Sequence, residues 1–124
     1  MTLRRFALLL PAAALLPRPA RAHALVIGSE PASGARLAEA PREVVVRFNS
    51  RIDAARSQLL LAPRREAAGG TADERRLDLV SGGPDTELRA TLPPLAPGPW
   101  RLRWQVLALD GHITRGDIPF TVGG

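Results

Sequence analysis

Hydrophobic and polar residues alternate along several short stretches of this chain. Residues 43–48 place Val44, Val46 and Phe48 on one face, with Glu43, Val45 and Arg47 on the other. Residues 86–92 repeat the pattern, with Leu88, Ala90 and Leu92 inward against Glu87, Arg89 and Thr91. Residues 99–109 form the longest run. Trp100, Leu102, Trp104, Val106 and Ala108 share one side, opposite Arg101, Arg103 and Gln105. A period of two belongs to a strand with one buried face. The two tryptophans mark that strand as the centre of a core. Weaker patterns predict strands at the apolar start of residues 23–28, at the Leu-rich residues 57–62, and at residues 75–80. Residues 118–122 predict a last strand, with Ile118, Phe120 and Val122 inward. Pro119 within it predicts an edge, or an outward position that makes no ladder bond.

Turn residues separate these runs. Ser29-Glu30-Pro31-Ala32-Ser33-Gly34, Gly82-Gly83-Pro84-Asp85 and Pro93-Pro94-Leu95-Ala96-Pro97-Gly98 supply fixed and left-handed dihedrals. Residues 37–41 read as a connector and residues 63–74 as a polar, exposed loop containing Gly69-Gly70. About seven short strands, spaced near ten residues apart and with no helical period, predict an all-β fold. The expected form is an Ig-like Greek-key β-sandwich; a small closed barrel is the second choice.

The first residues break this pattern. Met1-Thr2-Leu3-Arg4-Arg5 is a basic head, residues 6–16 are apolar apart from Pro11, and Ala20-Arg21-Ala22 is a small-x-small end. This is the layout of a secretory signal peptide. The apolar run falls short of the roughly 20 residues needed to cross a bilayer. Residues 1–22 are therefore predicted as a signal removed after Ala22, which leaves residues 23–124 as one domain in the periplasm. Ala22-His23-Ala24 offers a competing cut after Ala24. Arg4-Arg5 is compatible with twin-arginine export as well as the general route.

Composition changes its meaning once the signal is set aside. The 124 residues carry 17 basic and 12 acidic side chains, but four of the arginines lie in residues 1–22. The remaining balance of 13 to 12 gives no basic surface for nucleic acid. There is no cysteine, so disulfides and thiolate metal sites are excluded. The single methionine is Met1, so residues 23–124 hold no sulfur ligand.

The chain has two histidines, His23 and His112. Cleavage after Ala22 would make His23 the first residue, and its α-amine and ring Nδ1 could then chelate one ion. Asp110 and His112 stand two apart around Gly111, so both can face one side of a loop at the end of the longest strand. Taken alone, Asp110-Gly111 reads as a hairpin turn and His23 as a polar chain end. Together, amine, two imidazoles and a carboxylate make three nitrogens and one oxygen. Such a set suits tetragonal Cu(II) or Ni(II), with Cu(II) bound most tightly. Zinc also accepts these ligands but prefers a tetrahedron. The lack of sulfur excludes a soft Cu(I) site.

Several segments together resemble the CopC family of periplasmic copper-binding proteins of copper resistance. They are His23-Ala24 and the run from Ser29 to Leu37, then Ala40-Pro41 followed by Val44-Val45-Val46-Arg47-Phe48. The last is Trp104-x5-Asp110-Gly111-His112 with the Phe120-Thr121-Val122 ending. The resemblance implies a seven-stranded Ig-like sandwich that binds one Cu(II) through His23, Asp110 and His112. It also implies a carrier or buffer in copper homeostasis, with partners such as an inner-membrane CopD-like transporter or a multicopper oxidase. A monomer is expected. Two places depart from the family pattern. Many relatives have a glutamate just after the Phe of the second strand, where this chain has Asn49-Ser50, and this implies a different affinity. The loop Leu107-Ala108-Leu109-Asp110-Gly111-His112-Ile113 is more apolar than the family's usual Ser-Ala-Asp-Gly-His-Pro.

Two other functions fit an amino-terminal histidine or the fold. One is a small copper oxidase or polysaccharide monooxygenase. Scarce aromatics, the small domain, and a carboxylate at the position oxygen would need all weigh against it. The other is a metal-free Ig-like assembly domain, which predicts no Cu(II) binding above that of any histidine-containing protein. The expected reading is non-enzymatic.

Overall fold

The alternating stretches do lie side by side. In the computed structural model, which describes residues 23–64 and 73–123, eight strands form two sheets. They are β1 (Val26–Glu30), β2 (Ala35–Leu37), β3 (Glu43–Phe48), β4 (Gln58–Pro63), β5 (Arg75–Arg76), β6 (Glu87–Thr91), β7 (Gly98–Leu107) and β8 (Ile113–Val122). One sheet has the order β1-β3-β6, and the other β2-β8-β7-β4-β5. All neighbours are antiparallel except β2 beside β8. The chain changes sheets after β1, β2, β3, β5 and β6, and the result is the expected all-β Ig-like sandwich. The predicted signal, residues 1–22, and most of the predicted polar loop lie outside the described residues.

The inner faces carry the residues picked out by the alternation. Val44, Val46, Phe48, Leu88 and Ala90 from one sheet meet Leu59, Leu102, Trp104, Val106 and Phe120 from the other, all buried. Phe48 and Trp104 touch edge to face across the two sheets, ring centroids 5.3 Å apart at 74°. Trp100 packs at the margin of this core, and its Nε1–H donates to the Ala96 carbonyl at 2.9 Å.

Four elements differ from the sequence pattern. β1 runs from Val26 to Glu30 instead of over residues 23–28, because Ser29 and Glu30 of the expected turn still pair with β3. Residues 75–80 do not form one strand. Arg75–Arg76 pairs with β4, the Leu77 N–H donates to Leu59 O, and Leu79 bridges to Ala90 in the opposite sheet. The segment changes sheets, so its apolar residues serve both. β8 begins at Ile113, not Ile118. The inward positions of its first half are Thr114 and Gly116, too small to give a hydrophobic signal. Gly116 is small because the Trp104 indole fills its place: a Cβ there would lie 2.6 Å from Trp104 Cζ2. β2 is a three-residue strand and has no period to read.

Pro119 is accommodated as its chemistry requires. Its carbonyl accepts from Gly34 N–H at 2.7 Å, on the β2 side. Nitrogen and carbonyl of one strand residue point the same way, so the missing N–H removes no bond to β7.

Candidate metal centre

β7 and β8 are paired as far as Leu107 and Ile113, which leaves residues 108–112 as the connection. Gly111 N–H donates to Ala108 O and Ala108 N–H to His112 O, each at 2.9 Å. Gly111 takes φ 92°, a left-handed value that favours glycine. Ala108 is buried and bridged to Ile52, so the base of the loop is fixed to the core. Asp110 folds over the turn. Its Oδ1 accepts from the His112 backbone N–H at 3.0 Å, and its Oδ2 lies 2.9 Å from His112 Nδ1. The backbone bond from His112 is the largest influence holding the Asp110 carboxyl below the usual carboxylate range, with the His112 ring adding to it. Asp110 is thus an anion throughout the neutral range.

The amino-terminal segment reaches the same end of the sandwich. Ala24 is fully buried and Val26 pairs with Phe48. Leu25 N–H donates to Asn49 Oδ1 at 2.8 Å, and Leu25 O accepts from Asn49 N–H at 2.9 Å. Thr114 Oγ1 donates to Ala24 O at 2.9 Å. His23 therefore lies against the Asp110 loop, its ring centroid 4.9 Å from that of His112 at 76°.

The three residues singled out from the sequence are all brought together. Candidate ligand atoms of His23, Asp110 and His112 lie within 4.8 Å of one another. One observation fits a cation. His23 Nδ1 is buried and has no hydrogen-bond partner among the described residues. A buried polar atom left bare calls for an explanation, and an ion ligated by that nitrogen supplies one. The 2.9 Å between Asp110 Oδ2 and His112 Nδ1 is the length of an ordinary hydrogen bond.

The surroundings are accessible and apolar. The His112 side chain is 63% exposed, and Leu25, Leu109 and Ile113 are exposed beside the three candidates. Sequence reasoning did not find Asn49 or Thr114 as parts of this arrangement. They act by hydrogen bonds to the backbone of residues 24 and 25, which no spacing in the chain announces. Ser50 buries its Oγ with no partner among the described residues.

Residues 26–123 match the family model of the CopC domain. The chain belongs to the CopC family. The match begins after His23, so the amino-terminal candidate lies outside it. The chain is 25% identical over 111 residues to the copper transport protein CutJ of Bacillus subtilis, covering 87% of this chain. It spans only 19% of CutJ. It is 25% identical over 122 residues to Protein YobA of Escherichia coli K12, covering 95% of this chain and 93% of YobA. The fold is shared with CopC from Methylosinus trichosporium OB3b, at TM-score 0.67 and 24% identity, over 81% of this chain and 93% of that one. It is shared also with PcoC, a methionine-rich copper resistance protein from Escherichia coli. There the TM-score is 0.65 and the identity 21%, over 82% of this chain and 99% of PcoC.

Proposed function

We propose that this CopC-family protein is a periplasmic Cu(II) carrier or buffer in copper homeostasis and resistance. On this reading residues 1–22 are removed after Ala22. The ion is then held by the His23 amine and Nδ1, the Asp110 carboxylate and the His112 imidazole. The observation that carries it is the buried, unpartnered Nδ1 of His23 standing beside the Asp110–His112 pair. The copper roles named for CutJ and PcoC support the choice of metal. Nitrogen and oxygen donors without sulfur favour Cu(II) over Cu(I). PcoC is described as methionine-rich, whereas the only methionine here is Met1, so no second, Cu(I) site is expected.

The exposed His112 ring suits an ion that is handed on, not one built in for structure. With Asp110 as the fourth equatorial ligand, no equatorial position is left for oxygen, which supports a carrier over an enzyme. An inner-membrane CopD-like transporter or a multicopper oxidase as recipient belongs to the same proposal, as does a monomeric state.

Intact mass of the exported protein, with and without Cu(II), tests the reading. The expected result is a chain starting at His23 that takes up one ion. His112→Ala is expected to weaken Cu(II) about 100-fold. That is one ligand's share of the roughly 10–16 kcal/mol that a four-ligand site supplies. Protons compete with the ion for the amine and imidazole nitrogens, which must be deprotonated to bind it. Affinity therefore falls on acidification from pH 8 to pH 5, and a competition titration at each pH would read it. Asp110, held low, contributes nothing to that fall. A flat profile, or wild-type affinity in the His112→Ala protein, would sink this ligand set.

A further inference from the structure

A terminal residue that must present both its amine and its ring starts from a disadvantage, because chain ends fray unless they are tied down. Here the tie is visible, and neither strand pairing nor the candidate ligands supply it. The regular β1–β3 ladder is displaced by one residue between Val26 and Gly28. Beyond it, Asn49 continues the pairing with one backbone and one side-chain group: its N–H binds Leu25 O and its Oδ1 takes Leu25 N–H. From the opposite sheet, Thr114 Oγ1 holds Ala24 O. Ala24, wholly buried, fixes the depth at which the segment sits. Two consecutive residues, directly following His23, are thus fastened to both sheets next to the point where His23 must meet Asp110 and His112.

We infer that Asn49 and Thr114 are positioning residues for the amino-terminal chelate. They hold the backbone of residues 24 and 25 so that the His23 nitrogens stand ready at the loop before an ion arrives. The inference rests on the Cu(II) reading above and extends it to residues that touch no ion. In physical terms the clamp meets the ordering entropy of the terminus in advance, so less of the binding free energy is spent on it. Asn49 is suited to this because its side-chain oxygen reaches Leu25 N–H as an acceptor while its own N–H continues the pairing. Thr114 is suited because its hydroxyl donates to a carbonyl while its methyl can stay apolar.

The test compares mature wild type, Asn49→Ala, Thr114→Val and the double variant with the conservative Asn49→Asp and Thr114→Ser, which keep the acceptor and the donor. Cu(II) affinity is read by competition titration, and ligand geometry by the Cu(II) paramagnetic resonance spectrum. The exchange rate of the Leu25 amide is read in the metal-free protein. Outer partners of metal ligands are typically worth about 10-fold to 100-fold in affinity. Each disrupting variant should lose about that much, alter the spectrum, and, for Asn49→Ala, speed exchange of the Leu25 amide. Asn49→Asp and Thr114→Ser should restore affinity and spectrum, a rescue that a general loss of stability would not give. A wild type that binds while the double variant matches it in affinity and spectrum overturns the inference alone. A wild type that binds no Cu(II) overturns the functional reading and this inference with it.

Discussion

A chain that begins at Leu25 instead of His23 is expected to bind Cu(II) about four orders of magnitude more weakly. The magnitude follows from the ligand count. A four-ligand site supplies roughly 10–16 kcal/mol, or about 3 kcal/mol for each ligand, which is about 100-fold in affinity. Loss of residues 23 and 24 removes two nitrogens together. One extra residue placed before His23 gives a sharper comparison. The ring and the Nδ1 that the structure leaves bare remain, but the α-amine becomes an amide. Only one ligand is lost, so a decrease of about 100-fold is expected. Competition titration on the two proteins, with intact mass to fix each start, reads both effects. Equal affinity in all three chains would mean that the amino terminus takes no part. On the proposed ligand set the complete site would form only in processed protein, since a precursor would carry an amide at residue 23.

Phe48→Ala is expected to cost about 3–5 kcal/mol of folding stability, the range for removing a large buried aromatic. Phe48 is 2% exposed and meets Trp104 edge to face at 5.3 Å across the two sheets. Its loss leaves a cavity between the layers and frees the indole. Trp104 has little room to follow, because its other side rests on Gly116. No disulfide limits the damage, as the chain has no cysteine. A domain of about 100 residues has some 5–15 kcal/mol in total, and 1 kcal/mol moves its midpoint by about 4–8 °C. The melting temperature should therefore fall by roughly 12–40 °C, and the near-ultraviolet signal of Trp104 should weaken even before melting. A shift of only a few degrees would place the centre of the core elsewhere.

The sandwich was legible wherever every second residue is large and apolar. β3, β6 and β7 announce themselves because Val44, Leu88 and Leu102 each begin an alternating buried set. The first half of β8 did not, because its inward positions are a threonine tied to Ala24 and a glycine under an indole. The crossing at Leu77 and Leu79 did not, because residues that serve two sheets in turn keep no single period. His23, Asp110 and His112 could be picked out because a chain with two histidines and no sulfur beyond Met1 offers few metal donors. Asn49 and Thr114 could not. Thr114 meets a residue 90 positions away, and nothing about a lone threonine says so.

The meeting of residue 23 with residues 110 and 112 has one more consequence. An ion held by both would link the first strand to the last hairpin and close a loop of most of the domain. In a secreted protein that task commonly falls to a disulfide, for which the chain-entropy model gives nearly 5 kcal/mol at about 100 residues. This domain has no cysteine to make one. On the ligand set proposed here its cargo is a removable cross-link, and the loaded and empty proteins differ in how firmly the ends of the chain are joined.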